Sequence, residues 1–365
     1  MVSFKISRKS RMNDLIQKYQ KVPVKEFPND IKDKNVDVSI CVQTFNHKNY
    51  IEKCLDSLLN QETSYHYEIL LGEDESSDDT RDICIKYAKK FPDRIRLFLH
   101  SRKNNIQING RASGRFNFVY NISKARGKYI AFCEGDDYWV NTNKLQRQAD
   151  YFEKNKNLGL IYTGFKKYFQ SKNKEHIILY NEENKANNKK GIFDELLINN
   201  WIATATVMVR ADYLFKYADY KIYTFREFPM ADYPAWLDLA YNTSFGCINE
   251  PMAVHRILSN SASHSTSAKK RVDFIEASYR IQKYFIQKYT IPEQTIKAVN
   301  IKINKKRLQY AFFIKDIQVS HYSKKELKKL GYNLSIREKL YYYSLKSRPL
   351  SYLLRKLFIF LGVWI

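Results

Sequence analysis

The chain has 365 residues, of which 62 are Lys or Arg and 38 are Asp or Glu, a formal net charge of +24. Its hydrophobic content of 44% is that of a globular protein, and no run approaches the roughly 20 apolar residues of a membrane-spanning helix. The five cysteines are scattered without a CxxC pair, which excludes an obvious zinc site and favours buried reduced thiols. The N-terminus lacks the apolar core of a secretion signal, so we expect a cytoplasmic protein, soluble or peripheral on a membrane.

The positive charge is concentrated in the last quarter of the chain. From Lys269 onward there are 22 Lys or Arg against 6 Asp or Glu, a net charge of +16. Such a block implies an anionic partner, which is membrane lipid, nucleic acid or an acidic glycan. The stretch Leu340–Ile365 is amphipathic, so it predicts a segment that docks on its own protein or lies in a membrane interface.

The first half of the chain alternates apolar strands with amphipathic helices. Residues 1–35 come before this pattern, are polar and basic, and predict a short helix and a linker. Short connections between alternating elements indicate a parallel, right-handed, doubly wound sheet. The predicted strands are Val36–Thr44, Tyr67–Leu71, Ile95–Leu99 and Tyr129–Cys133, and the predicted helices are Asn49–Asn60, Asp79–Lys90 and Phe116–Ala125.

The second half is less regular. Residues 170–190 are polar and predict a flexible loop, Ser259–Ser267 predicts a mobile stretch, and long helical periods begin near Lys270. The other predicted elements are helices at Lys144–Glu153 and Met230–Tyr241, strands at Leu158–Phe165 and Ala203–Val209, and a strand pair within Phe245–Arg256.

An acidic turn follows the fourth predicted strand directly. Glu134, Asp136 and Asp137 lie within four residues after an apolar run. Crowded carboxylates repel one another unless a cation lies between them, and hard divalent ions take oxygen ligands. A second acidic turn, Gly72–Thr80, follows the second strand and would lie at the same sheet edge, where open α/β sheets bind ligands. The pattern predicts a metal and phosphate site, with a structural turn as the alternative.

Four motifs, in order, resemble glycosyltransferase family 2, which has the GT-A fold. They are VSICVQTFNH, EILLGEDESSDDT, ARGKYIAFCEGDDYW followed by KLQRQ, and MADYPAWLDLA. The resemblance covers roughly Val36–Ser263. We therefore predict an α/β protein with an N-terminal arm at 1–35, a GT-A domain with a doubly wound, mostly parallel sheet at 36–268, and a basic helical tail at 269–365.

The resemblance implies that Gln43, Phe45 and Asp74 hold the nucleotide base. A carboxylate can accept the imide hydrogen of uracil, and an aromatic ring can stack on a base. The alternative for Asp74 is a helix cap, although Ser77 or Asp78 suits that role better.

The family's DxD motif falls on Glu134-Gly135-Asp136, so that Glu stands where Asp is usual. The resemblance implies that Asp136 binds Mg²⁺ or Mn²⁺ and that Glu134 contacts the ribose or the metal. Asp137 is an alternative direct ligand, because sequence does not separate adjacent acids. The metal would neutralise charge on the leaving nucleoside diphosphate.

Asp232 matches the family's catalytic base, which takes the proton of the acceptor hydroxyl in a single displacement with inversion. Its alternative is a helix N-cap. Trp236 either stacks on the acceptor sugar or fills the core. The weaker candidates are Arg256, Arg111 and Arg115 for diphosphate contact and His264 for metal contact.

The favoured function is an inverting glycosyltransferase. It would move a sugar from a nucleotide-sugar donor, expected to be a UDP-sugar, to a saccharide or lipid-linked acceptor in surface-glycan synthesis, with the tail against an anionic membrane. A nucleotidyltransferase is the second hypothesis, although QTFNHKN replaces the expected glycine-rich loop after the first strand. A nucleic-acid-binding protein is the third. We expect no nucleic acid partner, because the basic residues form no recognisable base-reading motif and the acids would repel phosphate.

Overall fold

The computed structural model describes residues 8–31, 35–108, 110–180, 189–219, 222, 228, 230–258 and 267–360. The chain divides into two compact units, Met1–Leu196 with Asn200–Arg256, and Leu197–Asn199 with Ile257–Ile365. We refer to them as the sheet unit and the helical unit.

The sheet unit begins with a helix and a short edge strand and then alternates strands and helices. Its first elements are α1 (Arg8–Tyr19), β1 (Lys25–Glu26), β2 (Val38–Thr44), α2 (Ile51–Leu59), β3 (Tyr67–Glu73), α3 (Thr80–Lys90), β4 (Ile95–Leu99), β5 (Gln107–Ile108), β6 (Arg111–Ala112), α4 (Arg115–Lys124), β7 (Tyr129–Phe132) and β8 (Tyr138–Trp139). The later elements are α5 (Lys144–Lys154), β9 (Leu158–Phe169), β10 (Lys174–Ile178), α6 (Lys189–Ile198), β11 (Met208–Arg210), α7 (Ala211–Tyr217), α8 (Asp232–Asn242) and β12 (Ser244–Ile257).

Four parallel strands form the centre of one mixed sheet. They lie in the order β4-β3-β2-β7, and the sheet continues through β11, β9, β12 and β8, with β1 at the opposite edge. Every residue of β2 and β3 is buried, as expected for strands covered on both faces. The fold prediction, a mostly parallel sheet flanked by helices, is therefore confirmed, and antiparallel pairing of β11 with β7 and β9 extends it.

Three local predictions were wrong in the second half of the sheet unit. Residues 174–178 of the predicted loop form β10, which pairs with β9, because a left-handed turn at Asn173 reverses the chain. Within the predicted strand Ala203–Val209, residues 204–206 form a 3₁₀ turn and the strand begins at Met208. The predicted strand pair is one 14-residue strand, β12, since the polar stretch at 249–251 does not end it. Of the predicted mobile stretch, residues 259–266 lie outside the described residues.

The helical unit confirms the helical pattern predicted from Lys270 onward. Its helices are α9 (Ala268–Lys288), α10 (Glu293–Ile314), α11 (Ile317–Lys329), α12 (Ile336–Ser344) and α13 (Arg348–Phe360). Leu308, Phe312, Leu327, Tyr341 and Phe358 are members of a buried cluster that joins four of these helices. No helix in the described residues combines the length and hydropathy needed to span a bilayer.

Candidate functional site

The two acidic turns meet at the end of the central strand β2. The backbone NH of Gly135 donates to the carbonyl of Gln43 at 2.9 Å, and the NH of Asp74 donates to the carbonyl of Thr44 at 3.0 Å. The turns follow β7 and β3, which pair with β2 on its two sides. Three adjacent strand ends therefore form one edge of the sheet.

Gly135 is where the acidic turn approaches β2 most closely. A Cβ atom on Gly135 would lie 2.7 Å from Oγ1 of Thr44 and 2.8 Å from Nδ1 of His47. Such separations are far inside ordinary contact distances, so a side chain at this position would displace the turn. The glycine allows the acidic residues on either side of it to sit directly on the strand end.

Asp74 is buried at the end of β3. Its Oδ2 accepts a hydrogen bond from Nδ2 of Asn105 at 2.8 Å and lies 3.3 Å from Nη1 of Arg102. Its Oδ1 is buried and has no hydrogen-bond partner in the described part of the chain. Burial raises the pKa of Asp74 to about 6, although Asn105 and Arg102 act in the opposite direction. The cap interpretation of Asp74 is wrong, because the carboxylate that binds the Thr80 NH at the start of α3 is Asp78.

Gln43 and Phe45 lie beside Asp74 at the end of β2. Gln43 is 7% exposed, and neither polar atom of its side chain has a hydrogen-bond partner among the described residues. The guanidinium of Arg102 lies 3.8 Å from the ring centroid of Phe45 and covers one face of that ring. Buried polar groups without partners are uncommon, so Gln43 is a candidate for contact with a ligand.

The acidic turn after β7 concentrates negative charge. Burial raises the pKa of Glu134 well above its usual value, and the carboxylates of Asp136, Asp137 and Asp232 raise it further. Burial also raises the pKa of Asp136, with Asp137 as the next cause. These carboxyl groups therefore favour a bound proton or a neighbouring cation.

The two adjacent aspartates have different surroundings. Asp137 is 3% exposed, and its carboxylate accepts the NH of Arg256 at 2.7 Å and lies 3.2 Å from Nδ1 of His255. Burial lowers the pKa of His255, but Asp137 and Asp136 outweigh this and raise it. The carboxylate of Asp136 accepts no hydrogen bond from another described residue, while its carbonyl accepts Nε of Arg256 at 2.8 Å. Within the described part of the chain, no three His, Cys, Asp or Glu side chains form a metal-binding group.

Asp232 is the first residue of α8, and the N-cap of that helix is Ala231. The N-cap interpretation of Asp232 is therefore wrong. Oδ2 of Asp232 accepts the hydroxyl of Thr204, and Oδ1 accepts the NH of Tyr233 at 2.7 Å. Asp232, Glu134 and Gln43 line a single cleft of about 200 Å³, whose wall also includes Arg115.

The 3₁₀ turn that contains Thr204 is held from several sides. Nε1 of Trp139 donates to the carbonyl of Ala205 at 2.9 Å, and Nε2 of Gln148 donates to the carbonyl of Thr206 at 2.9 Å. Trp139 follows the acidic turn by two residues. Trp139, which supports the turn that contains Thr204, therefore lies next to the acidic turn in the sequence.

Several predicted site residues have other roles or lie outside the described residues. Trp236 is fully buried and its ring packs against Phe132 at 5.4 Å between centroids, so the acceptor-stacking interpretation is wrong and Trp236 belongs to the core. Arg115 donates to the carbonyl of Phe228. The side chain of Arg111 and all of His264 lie outside the described residues.

Sequence reasoning missed Arg102, Asn105, Thr204 and His255. His255 precedes Arg256, a predicted candidate, and alternation along a strand puts adjacent side chains on opposite faces. His255 and Arg256 nevertheless both contact the Asp137 carboxylate. His255 does so through its side chain, and Arg256 does so through its backbone NH. No motif in the sequence indicates the other three residues.

A family model described as Glycosyl transferase family 2 matches residues 39–216. A putative teichuronic acid biosynthesis glycosyltransferase of Bacillus subtilis, TuaG, is 28% identical over 242 residues, 65% of this chain and 86% of that protein. An uncharacterised protein of Mycobacterium bovis is 36% identical over 117 residues, 32% of each chain. The match thus spans about a third of the length of this last relative.

Solved structures resemble the fold. The crystal structure of S. aureus TarS 1–349 in complex with UDP has a TM-score of 0.50 at 16% identity, covering 85% of this chain and 91% of that chain. A second crystal structure of S. aureus TarS has a TM-score of 0.52 at 17% identity, covering 85% of this chain and 55% of that one. At these identities the likeness concerns the fold.

Proposed function

Residues 39–216 match a family model described as Glycosyl transferase family 2, and on that premise we propose that the chain transfers a sugar, with inversion, from a nucleotide-sugar donor to a saccharide or lipid-linked acceptor. The observation that supports this most directly is the cleft at the sheet edge. It contains an unbonded amide from Gln43, the carboxyl of Glu134 and the carboxylate of Asp232. Sugar transfer requires the acceptor hydroxyl, the catalytic base and the anomeric carbon of the donor to meet at one place.

In this proposal the donor base binds at Asp74 and Gln43. The buried Oδ1 of Asp74 and the buried amide of Gln43 have no partners among the described residues, and together they offer an acceptor for an imide NH and a donor for a carbonyl. Uracil presents that combination, so UDP is the expected nucleotide. TarS, which has a similar fold, was crystallised with UDP. The free face of Phe45 is available to stack on the base, with Arg102 fixed on its other face.

A divalent cation fits the acidic turn. The carboxylate of Asp136 accepts no hydrogen bond from another described residue, and burial and Asp137 raise its pKa. A bound cation would offset this repulsion and stabilise the ionised carboxylate. Asp136 would hold Mg²⁺ or Mn²⁺ together with oxygen atoms of the donor diphosphate, since the described residues supply few ligands. When bound, the ion would neutralise charge on the leaving nucleoside diphosphate.

Asp137 has a positioning role in this proposal. Its carboxylate is already bonded to the Arg256 NH and faces His255, so it fixes the end of β12 beside the acidic turn. The guanidinium of Arg256 bonds the Asp136 carbonyl and Oε1 of Gln170. We therefore assign metal binding to Asp136 rather than to Asp137, and structural support to Arg256.

Asp232 acts as the base. Its carboxylate would take the proton of the acceptor hydroxyl as that oxygen forms a bond to the anomeric carbon. The bond from the anomeric carbon to the diphosphate oxygen breaks in the same step, which inverts the configuration. Thr204 and the Tyr233 NH orient the carboxylate through one oxygen each.

Surface-glycan synthesis is the proposed setting. The relatives include TuaG and a minor teichoic acid biosynthesis protein of Bacillus subtilis, GgaB, which is 29% identical over 127 residues, 34% of this chain and 13% of that protein. The acceptor is then a growing polymer or a lipid-linked saccharide. We propose that the protein works in the cytoplasm, which agrees with four buried free thiols at Cys41, Cys54, Cys84 and Cys133.

The test is nucleoside diphosphate release from a panel of UDP-, GDP- and dTDP-sugars, with Mn²⁺ or with EDTA. Wild type, Asp136→Ala and Asp232→Asn would be compared. Metal-dependent turnover of one donor that both variants lose supports the proposal, and donor binding that survives in Asp232→Asn assigns the base. If calorimetry detects no binding of UDP or GDP in the presence of Mn²⁺, the proposal is wrong.

A further inference from the structure

Two helices of the helical unit expose rows of large apolar side chains. In α12 the residues recur with spacings of four and three, and in α13 with spacings of three and four, so each row lies along one side of its helix. We call the two rows the outer apolar face. Its residues are Ile336, Leu340 and Tyr343 in α12, and Leu350, Leu353 and Leu357 in α13.

The opposite sides of the same helices are packed. Tyr341, Tyr342 and Phe358 belong to the buried cluster of the helical unit. The side chains of the outer face remain in solvent, with Ile336 80% exposed and Leu353 64% exposed. A surface helix of a globular protein normally places polar residues there. Each helix therefore has one apolar side that packs in the cluster and a second apolar stripe that is exposed. Exposed apolar stripes of this kind mark interaction surfaces.

The surroundings of the outer apolar face are basic. Between residues 336 and 360 there are six Lys or Arg and one acidic residue, Glu338. Glu338 is buried, caps α12 with Ser335 and pairs with Lys305 at 3.2 Å, so the net charge of residues 336–360 is +5 (six positive charges less one negative). Lys339, Lys346 and Lys356 are exposed. Nζ of Lys346 lies 5.7 Å from the ring centroid of Tyr342, and Nζ of Lys356 lies 4.8 Å from that of Tyr352.

We propose that the outer apolar face docks on an anionic lipid bilayer. Leucine and isoleucine side chains would enter the boundary between headgroups and acyl chains, tyrosines would lie at headgroup level, and the lysines would contact acidic headgroups. Each lysine near an anionic surface strengthens binding about fivefold. A second copy of this chain is the less suitable occupant, because a two-fold contact would bring identical positive surfaces together.

The experiment is flotation of the full-length protein with vesicles. One preparation contains phosphatidylcholine alone, and the other contains about 30 mol% phosphatidylglycerol, at about 0.15 M salt. We expect the wild type to float with the anionic vesicles and to remain in solution with the neutral ones. The triple variant Leu350→Ser, Leu353→Ser, Leu357→Ser should lose at least about tenfold in partitioning, and Lys339→Gln, Lys346→Gln, Lys356→Gln roughly 100-fold.

Matched controls come from the sheet unit. Ile177 of β10 and the nearby Leu179 are 59% and 52% exposed, and Lys89 and Lys90 at the end of α3 are exposed lysines. Ile177→Ser with Leu179→Ser, and Lys89→Gln with Lys90→Gln, should partition within about threefold of wild type. Circular dichroism melting of every variant separates lost binding from lost folding.

Each outcome decides the proposal independently of catalysis, since flotation needs no donor or acceptor. Failure of the wild type to bind anionic vesicles would overturn it, as would equal losses in the control variants. Suppose that the wild type does not bind vesicles but forms a dimer in sedimentation velocity, and that the triple leucine variant is a monomer. This result would assign the outer apolar face to contact with a second copy instead. A protein that binds vesicles but turns over no nucleotide sugar would refute the proposed function and leave this inference intact.

Discussion

The hydroxyl of Thr204 donates a hydrogen bond to Oδ2 of Asp232, while the other oxygen of that carboxylate accepts the Tyr233 backbone NH. Two donors, one to each oxygen, set the plane of the carboxylate. In our proposal they aim its remaining lone pairs at the acceptor hydroxyl. Thr204 therefore acts on the reaction through Asp232, as a positioning residue.

Replacing Thr204 by Val should lower kcat about 10- to 100-fold and change the donor KM little. A hydrogen bond to a charged group is worth about 1.5–3 kcal/mol, and here it orients the base rather than the donor. Steady-state kinetics with varied donor concentration separate the effect on kcat from the effect on KM.

Thr204→Ser is the matched control for this prediction. It keeps the hydroxyl and should restore kcat to near wild type. A Val variant with wild-type kcat would exclude a positioning role. A loss in the Ser variant as large as that in the Val variant would show that the hydroxyl alone does not position Asp232.

Asp136→Asn and Asp137→Asn should have different consequences. Asp136 is half-buried and accepts no hydrogen bond from another described residue, and burial and Asp137 raise its pKa, so Asn should keep or raise the melting temperature at neutral pH and abolish metal-dependent UDP binding. Asp137 is buried against His255 and the Arg256 NH, so Asn should cost about 1–3 kcal/mol of folding stability. Urea unfolding and calorimetry with UDP and Mn²⁺ measure the two properties. Loss of metal-dependent binding in Asp137→Asn alone would reverse our assignment.

Asp74→Asn should stabilise the protein at high pH and weaken nucleotide binding. Burial raises the pKa of Asp74 from 3.8 to about 6, so folding favours the protonated carboxyl group. The stability contributed by this group is complete below pH 3.8 and is lost as pH rises through 6, by up to about 3 kcal/mol. Asn removes the ionisation, so the variant should exceed wild type above about pH 7 and lose that advantage towards about pH 4.

Urea unfolding at about pH 4, 6 and 8 tests the stability part of the Asp74 prediction, and uridine titration at about pH 8 tests the binding part. Uridine lacks phosphates, so its affinity does not depend on metal at the acidic turn. If the advantage of the Asn variant grew as pH fell, the predicted direction of the pH dependence would be wrong. Unchanged uridine affinity would remove Asp74 from the base site.

Gly135→Ala should abolish metal-dependent donor binding. Its Cβ would lie 2.7 Å from Oγ1 of Thr44, which forces the acidic turn away from the strand end. Calorimetry with UDP and Mn²⁺ should show at least an approximately tenfold weaker affinity. Gly114→Ala serves as the control for folding, because nothing lies within 4 Å of a Cβ there, and its melting temperature should equal that of wild type. Wild-type affinity in Gly135→Ala would mean that the turn tolerates displacement.

The sequence alone determined the parallel centre of the sheet. Apolar runs of strand length followed directly by acidic turns predicted that Asp74 and Glu134 would lie at one edge, because parallel strands end on the same side. The four motifs predicted the family, and the long helical periods between basic residues predicted the helical unit. These features depend on local pattern, which the linear chain displays.

Only the tertiary structure decided how individual side chains are used. Trp236 is a residue type that often stacks on sugars, but it lies in the core, because the packing of α8 turns its ring towards Phe132. Asp136 and Asp137 are neighbours in sequence, and a strand more than a hundred residues later distinguishes them by bonding only Asp137 through its carboxylate. Thr204 reaches Asp232 through a turn where the sequence pattern predicted a strand. Long-range contacts of this kind depend on the orientation of packed elements, which no local pattern records.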